Sequence, residues 1–185
     1  MTTANKITLV RIALIPVFIV LLLIDQFGCQ IAAAAVFVIA SLTDLVDGHI
    51  ARKYNQITNF GKFIDPIADK LLVISGMVIL CGQGRIPGWV VVIFIAREFI
   101  ISGFRLVAAD KGTVIAAGKL GKYKTATQMV AVILITLCLP ASGAPAFGAV
   151  GVWLSNIFLY ASLVLAIWSC AVYVRDNRAV LAEEK

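Results

Sequence analysis

Six apolar runs follow one another through this chain, at residues 7–24, 31–53, 61–82, 87–108, 124–140 and 151–174. Crossing roughly 30 Å of lipid hydrocarbon takes about 20 helical residues, and fewer where polar ends project beyond it. Composition removes the soluble alternative. Of the 185 residues, 61% are hydrophobic and 14% charged, against about 25% charged in an ordinary soluble domain. A soluble core of this size could not hide so much apolar surface, because small domains bury only part of what they expose. The expected fold is all-α: a polytopic membrane protein with six transmembrane helices and no second domain within 1–185.

The breaks run from Asp25 to Gln30, Tyr54 to Phe60, Gly82 to Pro87, Asp110 to Gly121 and Pro140 to Gly148. They are short, so consecutive helices are expected to be antiparallel neighbours. Arg85 is the only lysine or arginine in the breaks after the first, third and fifth runs. The other side carries Lys6, Arg11, Arg52, Lys53, Lys62, Arg105, Lys111, Lys119, Lys122, Lys124, Arg175, Arg178 and Lys185. The positive-inside rule therefore places both termini in the cytoplasm, with the chain multi-pass in the cytoplasmic (inner) membrane. The net charge of +6 does not point to nucleic acid, because the basic residues lie between apolar runs. Anionic membrane lipids or phosphorylated ligands explain the same surplus. The first run has the length of a signal-peptide core, but Asp25-Gln26-Phe27-Gly28-Cys29-Gln30 lacks a small-x-small cleavage pattern, so it reads as a retained helix. Cys29, Cys81, Cys138 and Cys170 lack CxxC spacing and read as small apolar fillers.

The chemistry concentrates at one place. Asp44 and Asp47 are three apart near the end of the second run; Asp65 and Asp69 are four apart near the start of the third. Helical periodicity puts each pair on one face, and the short connection lets the two faces meet at the cytoplasmic side. Pro66 is tolerated so close to a helix start. Facing carboxylates repel in a partly dry setting, so cations must compensate them or some must take up protons. Oxygen donors without cysteine or histidine favour a hard cation, Mg²⁺ or Mn²⁺, and two ions would match four carboxylates in charge. Such a pair of ions is the clamp used in phosphoryl transfer. Gly48, Ala51 and Gly61 are small where the acids gather, leaving room for a bulky ligand, and Arg52 could meet a phosphate. Mere decoration of a wetted helix end would not explain two helix-spaced acid pairs with small residues between them. His49, the single histidine, falls away from the face of Asp47 and reads as a boundary residue.

The segment Asp44-x2-Asp47-Gly48-x2-Ala51-Arg52-x8-Gly61-x3-Asp65-x3-Asp69 resembles, in full, the signature of the CDP-alcohol phosphatidyltransferase family. That resemblance implies six transmembrane helices around a cytoplasm-facing site, a single transmembrane catalytic domain, and transfer of a phosphatidyl group from a CDP-linked lipid to an alcohol with release of CMP. It implies one metal held by Asp44, Asp47 and Asp65, a second surrounded by Asp44, Asp65 and Asp69, and Asp69 as acceptor of the attacking hydroxyl's proton. Asp44, Gly48, Ala51, Arg52 and Gly61 would line the cytidine nucleotide. Asn5-x2-Thr8-x2-Arg11 is also similar to the family and would close that site. A homodimer is a further implication, and Gly76, Gly103 and Gly118 could pack helices within or between subunits.

Within the family, Arg97 to Arg105 and Lys111 to Thr125 are most similar to members whose acceptor is sn-glycerol 3-phosphate, with CDP-diacylglycerol as donor. The residue chemistry agrees with an anionic acceptor. Arg97 and Glu98 lie deep in the fourth run, where charge must be paired or face a polar cavity. Arg105, Lys119, Lys122 and Lys124 gather at the end that carries the aspartates, and with Arg97 they form the expected acceptor-phosphate set. Orientation and contact with anionic lipid are the plainer alternative for the lysines, and a structural pair is the plainer one for Arg97 and Glu98. Another acceptor, such as phosphatidylglycerol, inositol phosphate or serine, remains open from the residues alone. A cation transporter is disfavoured because the acids cluster at one end rather than at mid-depth. A non-catalytic scaffold would need no such cluster.

Overall fold

In a computed structural model the chain forms six helices: α1 (Thr3–Leu23), α2 (Phe27–Lys53), α3 (Asn59–Gly82), α4 (Gly88–Asp110), α5 (Lys119–Cys138) and α6 (Gly148–Asp176). The structure describes residues 3–53, 59–110, 118–139 and 147–178, without the side chains of 3–6, 44–53, 59–63, 65, 66 and 119. No strand occurs among the described residues. Each helix corresponds to one of the six apolar runs and extends past it at one end or both, while α1, α4 and α5 stop one or two residues short at the other. The largest extension is in α5, which begins at Lys119 rather than at Lys124. An apolar run measures depth in lipid, whereas a helix needs only its own backbone hydrogen bonds, so polar turns such as Lys119 to Tyr123 continue it.

By length and composition one helix among the described residues, α6, can cross a membrane, with a mean hydropathy of 2.1 over its most apolar stretch. Ile7–Leu23 and Phe27–Thr43 are shorter apolar stretches. The charged residues of α3, α4 and α5, among them Asp65, Asp69, Arg97, Glu98 and Lys124, dilute the apolar content of those helices.

The helices pack as α1 against α2 and α3, α5 against α6 and α2, and α4 against α6. Phe18, Leu22, Phe37, Leu72, Met77, Leu80, Phe94, Val132 and Ile135 form the centre and are essentially inaccessible. The rings of Phe18 and Phe37 meet at 5.3 Å with a tilt of 47°. Apolar side chains also cover the outside: Val92, Phe99, Leu106, Val150, Trp153, Val164 and Trp168 are all exposed. Apolar residues inside and outside alike leave close packing, not segregation from polar surface, as what distinguishes the helix contacts. Gly76 illustrates this. A Cβ there would lie 3.0 Å from the Phe18 ring, so the missing side chain is what lets α3 approach α1. Gly103 and Gly118 have no such neighbour within 4 Å. On α6, Ser155, Ser162 and Ser169 recur every seven residues on the buried face. Each returns its hydroxyl to a carbonyl of its own helix, on Gly151, Leu159 and Ala166 respectively. All four cysteines are free thiols.

Candidate active site

Asp44, Asp47, Gly48, Ala51 and Arg52 occupy the last turns of α2, and Gly61, Asp65 and Asp69 the first turns of α3. Of these, Asp69 has a described side chain; those of the other residues, and of Asn5 and Lys119, lie outside the described ones. Among the described residues no three of histidine, cysteine, aspartate or glutamate gather into a metal-holding group.

Helix α1 brings Thr8 and Arg11 to the same end. Both are fully buried, Thr8 at 1% and Arg11 at 0% exposure. The Arg11 Nε donates to the Ala40 carbonyl at 3.2 Å and to Thr43 Oγ1 at 3.4 Å. Thr43 Oγ1 itself donates to the Ala40 carbonyl at 2.7 Å. A buried guanidinium therefore sits against the turn of α2 that leads directly into Asp44. Burying a charge is costly unless it is hydrogen-bonded and compensated, so its presence marks this end as the polar one.

Asp69 is half-buried three turns into α3, and its Oδ1 accepts from the Lys70 backbone N–H at 2.6 Å. The Lys70 ammonium donates to Ser102 Oγ on α4 at 2.9 Å. Ser102 lies one turn beyond Glu98 and one turn before Arg105, so Glu98, Ser102 and Arg105 share a face of α4. Glu98 anchors the densest group of charges. Its Oε1 accepts from Arg97 Nη1 at 2.9 Å and from the Lys124 ammonium of α5. Arg97 Nη2 also donates to Ser169 Oγ on α6 at 3.2 Å. Lys124 lies 5.4 Å from the centre of the Phe94 ring and interacts electrostatically with Asp69. It is 2% exposed and Arg97 9%. A Cβ at Gly121 would stand 3.6 Å from Arg97 Nη2, an ordinary contact distance, so α5 passes close to this group.

Arg105 is exposed at the end of α4, its guanidinium 5.9 Å above the ring of Tyr173 of α6. Phe104 meets the same ring edge-on at 6.2 Å. Among the described residues the buried Tyr173 hydroxyl and Arg97 Nε have no hydrogen-bond partner. Tyr173 lies one turn past Ser169 on α6, so both unused donors flank the same part of the site. Lys122 is exposed and points to no described partner.

Of the basic residues expected to bind acceptor phosphate, Arg97 and Lys124 come together on one carboxylate, Arg105 stands at the rim on Tyr173, and Lys122 remains outside. Sequence reasoning missed Lys70, Ser102, Ser169 and Tyr173. It put Arg97 and Lys124 in one acceptor-phosphate set but did not link Glu98 to Lys124, because the 25 residues between them carry no pattern that does so. The seven-residue recurrence of serine on α6, ending at Ser169, was the one available signal.

The family model of CDP-alcohol phosphatidyltransferase matches residues 1–168. The chain belongs to that family. Among relatives of this CDP-alcohol phosphatidyltransferase is the CDP-diacylglycerol–glycerol-3-phosphate 3-phosphatidyltransferase of Bacillus subtilis (strain 168), 48% identical over 72% of this chain and 75% of its own length. A protein of the same name, numbered 2, from Arabidopsis thaliana is 34% identical over 99% of this chain and 82% of its own. A cardiolipin synthase (CMP-forming) of Oryza sativa subsp. japonica is 35% identical over 98% of this chain and 59% of its own.

Proposed function

We propose that this CDP-alcohol phosphatidyltransferase moves the phosphatidyl group of CDP-diacylglycerol to sn-glycerol 3-phosphate, forming phosphatidylglycerophosphate and CMP in phospholipid biosynthesis. The observation that carries this reading is the group of cations around Glu98 and Ser102 of α4. Lys70, Arg97, Arg105 and Lys124 surround the Glu98–Ser102 face of α4. A phosphorylated alcohol supplies the dianion that such a group needs, whereas serine or inositol does not. Relatives named for this reaction, 48% and 34% identical, support the same acceptor.

The six helices cross the cytoplasmic membrane in this reading, with both termini and the site on the inner side, and acyl chains of the donor lie among the exposed apolar residues. Asp44, Asp47, Asp65 and Asp69 hold two divalent cations, Mg²⁺ or Mn²⁺; an all-oxygen donor set at facing helix ends fits a hard ion. When bound, such ions polarise the pyrophosphate and offset charge on the departing CMP. Asn5, Thr8, Arg11, Gly48, Ala51, Arg52 and Gly61 frame the nucleotide. Arg97, Arg105, Lys119, Lys122 and Lys124 orient the acceptor phosphate, which aims the C1 hydroxyl at the lipid-side phosphorus. Asp69 takes the hydroxyl proton as the new P–O bond forms and the bond to CMP breaks. A carboxylate is a weak base near neutral pH, so positioning has to supply much of the gain. A homodimer is the assembly implied by the family resemblance.

The test is the identity of the lipid made from CDP-diacylglycerol and a set of labelled alcohols in liposomes. Label from glycerol 3-phosphate should enter phosphatidylglycerophosphate. The rice relative's name motivates one second reading, with phosphatidylglycerol as acceptor; cardiolipin as the sole product would establish it instead.

A further inference from the structure

We infer that Glu98 is a positioning residue for the acceptor, holding Arg97 and Lys124 as one buried cationic unit. This rests on the transfer reaction proposed above. A single oxygen, Oε1 of Glu98, accepts from both cations, so the two cannot separate further than those bonds allow. Two cations held that close present converging donors to one oxyanion. The rest of each side chain is fixed as well. Arg97 is tied to Ser169 of α6 at 3.2 Å and Lys124 is seated over Phe94. Lysine has a flexible stem and gains no defined geometry unless something imposes it.

A purely structural role does not account for the arrangement. Replacing a buried ion pair by apolar side chains is often neutral or stabilising, and Arg97 with Glu98 alone would balance in charge. Lys124 adds a buried second cation from another helix. The unused donors, Arg97 Nε and the Tyr173 hydroxyl, flank the same place. An anionic acceptor group satisfies those donors.

The experiment is steady-state kinetics of the full chain in liposomes, with Michaelis constants taken separately for glycerol 3-phosphate and CDP-diacylglycerol. Glu98→Gln should raise the constant for glycerol 3-phosphate about tenfold or more, the scale of a charge-assisted contact, with CDP-diacylglycerol changed by less than about twofold. Glu98→Asp should recover part of that loss. Equal changes in both constants, or none, would overturn the inference. Should Glu98→Gln fail to assemble, the Glu98→Gln/Lys124→Met pair removes both members of the interhelical contact and should show the same one-sided loss. A normal constant for glycerol 3-phosphate in that pair would also overturn it. The unaltered protein separates the two levels: no transfer to glycerol 3-phosphate refutes the reaction itself, whereas transfer with an unmoved variant refutes only the role of Glu98.

Discussion

The guanidinium of Arg85 donates from Nη2 to Asp25 Oδ1 at 2.9 Å, joining the α3–α4 turn to the α1–α2 turn at the end of the bundle opposite Asp69. Its Nη1 donates to Gln30 Oε1 at 3.0 Å. Gln30 Nε2 in turn reaches the Ile24 carbonyl at 2.8 Å, and Gln83 Nε2 the Leu22 carbonyl at 2.8 Å. The Arg85 side chain is 1% exposed and that of Asp25 24%. Burial pulls the Arg85 guanidinium below its ordinary value, while Asp25 beside it works in the opposite direction. The one basic residue on this side of the chain is thus a buried clamp, not a surface charge.

The unequal exposure predicts unequal costs. Asp25→Ala leaves a buried cation and should cost about 3 kcal/mol. Arg85→Met leaves a carboxylate that water can still reach and should cost less. Thermal unfolding in detergent checks the order, and turnover per folded molecule should stay normal in both variants, since the clamp is remote from the site.

Gly76 should not tolerate a side chain. Gly76→Val pushes branched carbons toward the Phe18 ring, already 3.0 Å from the first added atom, and overpacking of this kind costs about 1–3 kcal/mol. Phe18→Leu in the same chain should restore part of the lost thermal stability. Full stability of Gly76→Val alone would show that α1 and α3 are not in close contact.

Arg105 is seated on the aromatic face of Tyr173, so its own contribution depends on that ring. Arg105→Ala should impair use of glycerol 3-phosphate more than capture of CDP-diacylglycerol. Tyr173→Leu should reproduce a weaker form of that defect, because an exposed cation–π contact contributes about 0.5–1 kcal/mol. Tyr173→Phe keeps the ring and should retain most of the Arg105 contribution. Kinetic constants for the two substrates, measured side by side, decide this.

Asp69→Asn keeps the size of the side chain and removes its basicity. Turnover should fall by at least about a hundredfold, the lower range for loss of a general base, while binding of CDP-diacylglycerol persists. Near-normal turnover would remove Asp69 from the role of proton acceptor.

Much of this architecture was readable in the residues because long apolar runs bounded by short polar breaks specify helices and the turns between them. The six helices coincide with the six apolar runs, and the polar end was marked by Arg11, the aspartates and the basic residues of α4 and α5. What could not be read were contacts between helices. Nothing in the sequence couples Lys124 to Glu98, Lys70 to Ser102 or Arg97 to Ser169, since each pair depends on helix rotation and on which helices are neighbours. Arg85 shows the same limit from the other direction. Counting charges placed it correctly on the sparse side but could not say that it was buried. The acids on α2 and the first of those on α3 were singled out by spacing, and their side chains lie outside the described residues.

Release of CMP from CDP-diacylglycerol by the purified protein, with and without glycerol 3-phosphate and with and without Mg²⁺ or Mn²⁺, addresses the proposed reaction most directly. CMP should appear only when the acceptor and a divalent ion are both present, and chelation should stop it. CMP release that ignores glycerol 3-phosphate, or continues in chelator, would contradict the proposed transfer.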